Sequence, residues 1–183
     1  MSATTTLNAI RAHDPCAQGW TKLLAHLGKT KADDEPLSLL TILDSNGLDD
    51  ALWCMRAMPE HSRHWRLYAV WCARQVQHLM TDPRSVAALD VAERHATGAA
   101  TDAELCAAWD ASLAAARAAR AAGDAGDAGA AAGAAAMAVA WDAVDAAWDA
   151  SLAAARAAGD AAWDAQAARL RDVCAEIDAE DAA

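Results

Sequence analysis

The feature that most constrains this chain is a thirteen-residue phrase written twice. AAWDASLAAARAA occupies Ala107–Ala119 and recurs at Ala146–Ala158. Around both copies, Thr101–Ala183 holds 39 alanines in 83 residues. Alanine is the strongest helix former and is depleted in strands, and glycine is the weakest helix former after proline. The tract therefore reads as helix with soft points at its glycines. The fold class expected for the whole chain is all-α, a multi-helix bundle with a long Ala/Trp-rich helical second half. A perfect duplication of simple sequence is also the mark of tandem copying, which seldom multiplies a catalytic residue.

Apolar spacing assigns a face to the tract. Trp141, Trp148, Leu152, Gly159, Trp163, Leu170, Cys174 and Ile177 stay on one stripe at roughly 100° per residue. Alternating steps of seven and four make an eleven-residue repeat, which predicts a nearly straight path. Unbroken, Trp141–Ile177 would run roughly 55 Å at about 1.5 Å per residue. Large aromatics at helical spacing are expected to face inward. One position on from the tryptophans and Gly159, Asp142, Asp149, Asp160 and Asp164 form an acidic rail, either a solvated face or a surface for a basic partner. Gly123, Gly126, Gly129 and Gly133 crowd one window and predict a turn between helices.

The first hundred residues are punctuated differently. All four prolines fall before residue 84. Asp14-Pro15 predicts a helix start, with the helix running to Leu27 and Gly28 ending it. Lys29–Glu35 is a polar connection, and Pro36–Ser45 is a leucine-dense segment, a buried helical turn or two rather than a strand. Leu48–Met58 is the next helix, with Asp49 and Asp50 suiting its N-terminal dipole. Glu60–Met80 is the expected core helix of this half, with Trp65, Ala69, Cys72, Val76 and Leu79 in one stripe and Tyr68 at its edge. Asp82-Pro83 opens a helix ending at Gly98. Thr101 with Glu104 forms a capping box that opens the alanine-rich region. No alternating β pattern occurs. Residues 1–100 read as a compact helical part and 101–183 as an acidic helical repeat part, packed on the first as one domain.

Charge separates the two parts. Residues 1–100 carry 10 Lys/Arg against 11 Asp/Glu, whereas 101–183 carry 5 against 15. An acidic half argues against direct nucleic-acid or anionic-membrane binding. Cys16, Cys54, Cys72, Cys106 and Cys174 are odd in number and widely spaced, so they read as small buried hydrophobes of a reduced, cytoplasmic protein. No signal peptide is expected, because the first 30 residues hold no run of seven apolar residues. The longest uncharged run, Ala128–Trp141, has 14 residues, too short to span a bilayer.

Few constellations suggest chemistry. His61 and His64 sit three apart near a helix start, but no third ligand stands at a fixed spacing. Arg63, Arg66 and Arg74 share a helix and are expected to pair with Glu60, Asp90 or Glu93. Nothing has the form of a nucleophile elbow, a phosphate-binding glycine loop or a paired-carboxylate site. The reading is a protein that is not an enzyme and uses no cofactor and no metal.

Over roughly 47–105 the chain resembles the immunity proteins of bacterial polymorphic-toxin systems, a likeness also seen in Ala-rich phage and prophage proteins. The matching residues are Cys72-Ala73-Arg74, Asp82-Pro83-Arg84-Ser85 and Glu93-Arg94. In the alanine-rich part the chain departs from that pattern, with Asp124, Asp127 and Asp160 after glycines where the family has histidines. The resemblance implies a protein that binds and neutralises a partner. The leading expectation is thus a non-enzymatic interaction or inhibitor protein of the immunity or phage–host conflict type. It engages a protein with a basic surface through Asp142, Asp149, Asp160 and Asp164. One alternative is a nucleic-acid mimic that blocks a DNA- or RNA-binding enzyme. Another is a structural homo-oligomer.

Overall fold

The computed structural model describes residues 3–121, 126–140, 142–159 and 161–182. The fold is all-α, with ten α-helices and a single two-stranded ribbon among the described residues. The contacts divide the chain into two compact units, Met1–His61 with Ala167–Ala183, and Ser62–Gln166. Inside the second unit, the helices Pro83–Ala96 and Asp102–Ala121 pack on each other.

The first unit begins with β1 (Thr4–Thr5), which pairs antiparallel with β2 (Leu37–Ser38) in the register Thr4 to Ser38 and Thr5 to Leu37. Between them lie α1 (Leu7–Arg11) and α2 (Ala17–His26). The helix start expected at Asp14-Pro15 falls two residues later. Cys16 is the cap, its Sγ accepting the Gly19 N–H at 3.3 Å, and Asp14 takes a left-handed φ of 54°. The end of α2 is as expected. Gly28 has φ +65°, and the Lys29 N–H returns to the Leu24 carbonyl at 2.9 Å, which satisfies a terminal carbonyl. The leucine-dense segment gives the two residues of β2 and then α3 (Leu39–Asn46). The Leu48–Met58 helix is shorter than expected: α4 ends at Cys54 and Met55–Ala57 tightens to a 3₁₀ turn. The C-terminal segment returns to this unit, where the Ala3 N–H donates to Asp178 at 3.1 Å and Arg171 pairs with Asp44 at 2.5 Å.

The second unit is built on α5 (Ser62–Gln75), α6 (Pro83–Ala96), α7 (Asp102–Ala121), α8 (Asp127–Ala138) and α9 (Ala143–Ala158). The opening turn of α10 (Ala161–Asp181) completes it. The expected helix over Glu60–Met80 is α5 alone, flanked by 3₁₀ turns at Pro59–His61 and Gln77–Leu79. The expected stripe is fully buried at Trp65, Ala69 and Cys72 in α5 and at Val76 just past its end, Leu79 is only half-buried, and Tyr68 is inside rather than at an edge. Two predicted caps are present. Asp82 accepts the Arg84 N–H at 2.9 Å with Pro83 opening α6. Thr101 and Glu104 exchange bonds of 2.8 and 3.3 Å at the start of α7.

The middle of this unit is α8. Ala131–Ala136 are buried without interruption, and the helix touches α5, α6, α7 and α9. A helix apolar on every side belongs in a core, and one-carbon side chains let four neighbours approach it. Gly129 and Gly133 lie inside α8 rather than in the expected turn, while Gly126 caps its start. Gly123 lies outside the described residues.

Three corresponding positions of the duplicated phrase are buried in both copies: Ser112, Ala115 and Ala116 in α7, and Ser151, Ala154 and Ala155 in α9, while Ala146, Ala147, Ala150 and Ala157 are buried in the second copy alone. This corrects the expected face. Trp148 and Trp163 are only half-buried and Trp109 is 36% exposed, while Trp141 lies outside the described residues. The small side chains occupy the helix contacts and the bulky indoles are displaced to their flank. Nor is there one 55 Å helix, because Gly159 at φ +80° ends α9. Among the described residues of the expected stripe, only Leu170, Cys174 and Ile177 are buried.

Candidate functional site

The described members of the expected acidic rail, Asp142, Asp149 and Asp164, do not share one helix. Asp142 is the N-cap of α9, its carboxylate accepting the N–H groups of Val144 at 2.8 Å and Asp145 at 3.1 Å. Asp149 lies half-buried in the body of α9. Burial, then the charge of Asp145 one turn earlier, raises its carboxyl above the usual carboxylate range. Asp164 is exposed in the first turn of α10, beyond the Gly159 break, where it suits the helix dipole. Asp160 lies outside the described residues. What repeats instead is the dipeptide Trp-Asp, at Trp109-Asp110, Trp141-Asp142, Trp148-Asp149 and Trp163-Asp164. At Trp109, Trp148 and Trp163 an indole at least partly open to solvent adjoins a carboxylate. Trp109 is the exposed large hydrophobic among the described residues.

A cleft of about 350 Å³ in the same unit gathers Ser62, Arg63, Arg66, His95, Asp102 and Asp142. His95, in the last turn of α6, meets Asp102 through Nε2 at 2.9 Å. Arg66 is 4% exposed and donates to the carbonyls of Ala140 at 2.6 Å and Ala138 at 3.4 Å. Burial pulls its guanidinium below the ordinary arginine value, opposed by the charge of Asp142. A cation at those carbonyls completes the C-terminus of α8, so the cleft wall is built around a structural cap. Arg74, expected in an ion pair, is held by Asp90 at 2.7 Å and Glu93 at 2.8 Å.

A second polar group is sealed inside the unit. Ser151 Oγ donates to Gln166 Oε1 at 2.6 Å, Gln166 Nε2 returns to the Ser151 carbonyl at 3.0 Å, and Tyr68 Oη donates to the Gln166 carbonyl at 3.3 Å. Burial, followed by the neighbouring Cys72, pushes the Tyr68 hydroxyl well above its ordinary pKa, so it stays protonated and donates. In the other copy of the repeat, Ser112 Oγ donates to the Trp109 carbonyl of its own helix at 2.9 Å. Identical sequence thus makes a tertiary bond in one copy and a local bond in the other.

The cysteines divide as well. Cys54, Cys72 and Cys174 are buried, whereas Cys16 and Cys106 are exposed, contrary to the expectation of five buried thiols. Burial pushes the thiols of Cys54 and Cys174 up to about 12, which removes their nucleophilic form. Among the described residues no group of three His, Cys, Asp or Glu is placed to hold a metal ion. No described helix is long and apolar enough to cross a membrane.

Sequence reasoning missed Gln166, and it expected Arg66 in an ion pair with Glu60, Asp90 or Glu93 rather than on the carbonyls of Ala138 and Ala140. Arg66 is in phase with Val70 and Ala73 on the buried side of α5, and a charge at that register was the available signal. No family model matches the chain, and no curated protein or solved structure is detectably similar to it.

Proposed function

We propose that this protein acts by binding rather than by catalysis, as an inhibitor of the immunity or phage–host conflict type. Its partner is a protein with a basic surface, engaged through the Trp-Asp positions of the alanine-rich helices. The observation that carries the reading is Trp109, held 36% exposed on α7 next to the exposed Asp110. An exposed tryptophan is unfavourable to a monomer's solvation, and tryptophans are the residues around which interface energy concentrates. Carboxylates beside it accelerate encounter with a cationic surface and fix orientation. The caps, the sealed Tyr68 network and the arginine-capped α8 supply a rigid support for such a face.

The break at Gly159 between Asp149 and Asp164 weighs against mimicry of a regular phosphate row. Self-association through Trp109 is the competing use of the same face. Capture from a native host extract by wild-type protein and by Trp109→Ala/Asp110→Asn, with mass spectrometry, tests the proposal. A protein of basic surface retained by the wild type and lost by the variant supports it. Equal retention by both, or concentration-dependent self-association that the variant abolishes with no partner found, refutes it.

A further inference from the structure

The first unit carries seven lysines and arginines, and five of them are engaged. Lys22 donates to the Asn46 carbonyl at 3.3 Å, Lys29 pairs with Asp33 and Glu35 at 2.6 and 2.7 Å, and Arg56 lies 4.6 Å over the Trp53 ring. Arg169 pairs with Glu176 at 2.7 Å and Arg171 with Asp44 at 2.5 Å. Arg11 and Lys31 remain, and among the described residues neither makes an ion pair or side-chain hydrogen bond; Lys31 reaches Asp33 only through its field. Both line the same cleft of about 470 Å³, with Asp14, Pro15, Trp20 and Leu24.

In an acidic chain, where carboxylates outnumber cations 26 to 15, two unmatched cations facing one hollow is a selective arrangement. The apolar wall comes from α2. Trp20 and Leu24, four residues apart, lie on one helix face, both half-buried. No protein acceptor among the described residues takes the Trp20 indole N–H. Asp14, the one described non-glycine residue with positive φ, also lines the cleft. With Arg11 and Lys31 this leaves the cleft one net positive charge. A volume within the range of about 300–1,000 Å³, an apolar wall and a few convergent polar groups are what small-molecule sites have in common.

We propose that this cleft binds a small aromatic carboxylate, its ring laid against Trp20 and Leu24 and its anionic group held between Arg11 and Lys31. Aromatic rings stack or meet edge-on with indole, and the guanidinium fork fits a carboxylate in two-point contact. The site lies in the first unit and is independent of the protein-binding reading above.

Titration of full-length ¹⁵N-labelled protein with sodium 2-naphthoate, followed through indole N–H resonances, tests it. The Trp20 signal is identified by its loss in Trp20→Phe. A saturable shift of that signal is expected, with 2-naphthamide, the uncharged analogue, binding at least about tenfold more weakly. Arg11→Gln/Lys31→Gln, which alters two exposed side chains, is expected to weaken naphthoate by a similar factor while leaving the melting temperature in place. Equal affinity for the acid and the amide overturns the proposal, as does an unsaturable shift at Trp20. Undiminished naphthoate binding by the double variant overturns it as well, and the acid–amide comparison on wild-type protein stands whether or not that variant folds.

Discussion

Replacing the same serine in each copy of the repeat isolates tertiary environment from local sequence. Ser112 and Ser151 are both fully buried, and each sits at the sixth position of an identical thirteen-residue phrase. Helix propensity and adjacent side chains therefore cancel between Ser112→Ala and Ser151→Ala. In α9 the substitution removes the donor to Gln166 Oε1, a group 1% exposed and bonded at 2.6 Å. Leaving that acceptor unmatched costs about 1–3 kcal/mol, and the better helix propensity of alanine returns up to about 0.5 kcal/mol. A net loss of about 1–2 kcal/mol is expected. In α7 the serine only bonds back to its own helix at the Trp109 carbonyl, a contact that slightly disfavours helix, so Ser112→Ala is expected to fall within about ±0.5 kcal/mol. Urea unfolding followed by circular dichroism reads the difference. With m of about 2 kcal/mol/M, Ser151→Ala moves the midpoint down by about 0.5–1 M and Ser112→Ala leaves it in place. Equal shifts from both would refute the assignment of Ser151 and Gln166 as a structural network.

Trp65→Ala, at a fully buried position, is expected to cost about 3–5 kcal/mol, whereas Trp109→Ala should leave stability nearly unchanged in the same unfolding assay. Gly133→Ala is expected to stabilise by about 0.5–1 kcal/mol, because the site is helical and an added Cβ meets nothing within 4 Å. Gly159→Ala is expected to destabilise by about 1–3 kcal/mol, since φ +80° with ψ −170° is strained for any side chain; thermal melts of the pair check both signs. Asp149 has a raised carboxyl pKa in the folded state, so its charged form is a penalty above that value that disappears as pH falls through it. Asp149→Asn should then raise the melting temperature at neutral pH, with the gain shrinking on acidification; a gain that grows in acid would reverse the reasoning.

The elements legible in the sequence were those set by local chemistry. Asp82-Pro83, Thr101 with Glu104 and Gly28 mark helix ends because their side chains or backbone satisfy terminal groups within a few residues. The buried stripe of α5 was legible because Trp65, Ala69 and Cys72 share one steep apolar phase that Val76 continues just past the helix end. The alanine tract was misread in its facing, since hydrophobic size pointed to tryptophan as the inward residue. Where helices approach closely, small size decides instead, and Ala115, Ala116, Ala154 and Ala155 take the contacts. The interruption of the acidic row at Gly159 was hidden for a related reason. Spacing alone does not reveal that Asp142 is spent on a cap or that Gly159 ends the helix between Asp149 and Asp164. Gln166 was invisible because its partners, Ser151 and Tyr68, meet it only through the fold.

The most direct test of the binding account measures partner affinity against salt concentration, with melting temperature on the same samples. The samples are wild type, Trp109→Ala, and the quadruple change of Asp142, Asp149, Asp160 and Asp164 to Asn. Asparagine caps a helix about as well as aspartate, so the quadruple variant retains the start of α9. The account predicts melting that does not fall in either variant, with any rise in the quadruple variant traced to Asp149→Asn, affinity lost in both variants, and wild-type binding that weakens steeply as salt screens the carboxylates. Affinity that survives both changes, with only solubility reduced, would contradict it.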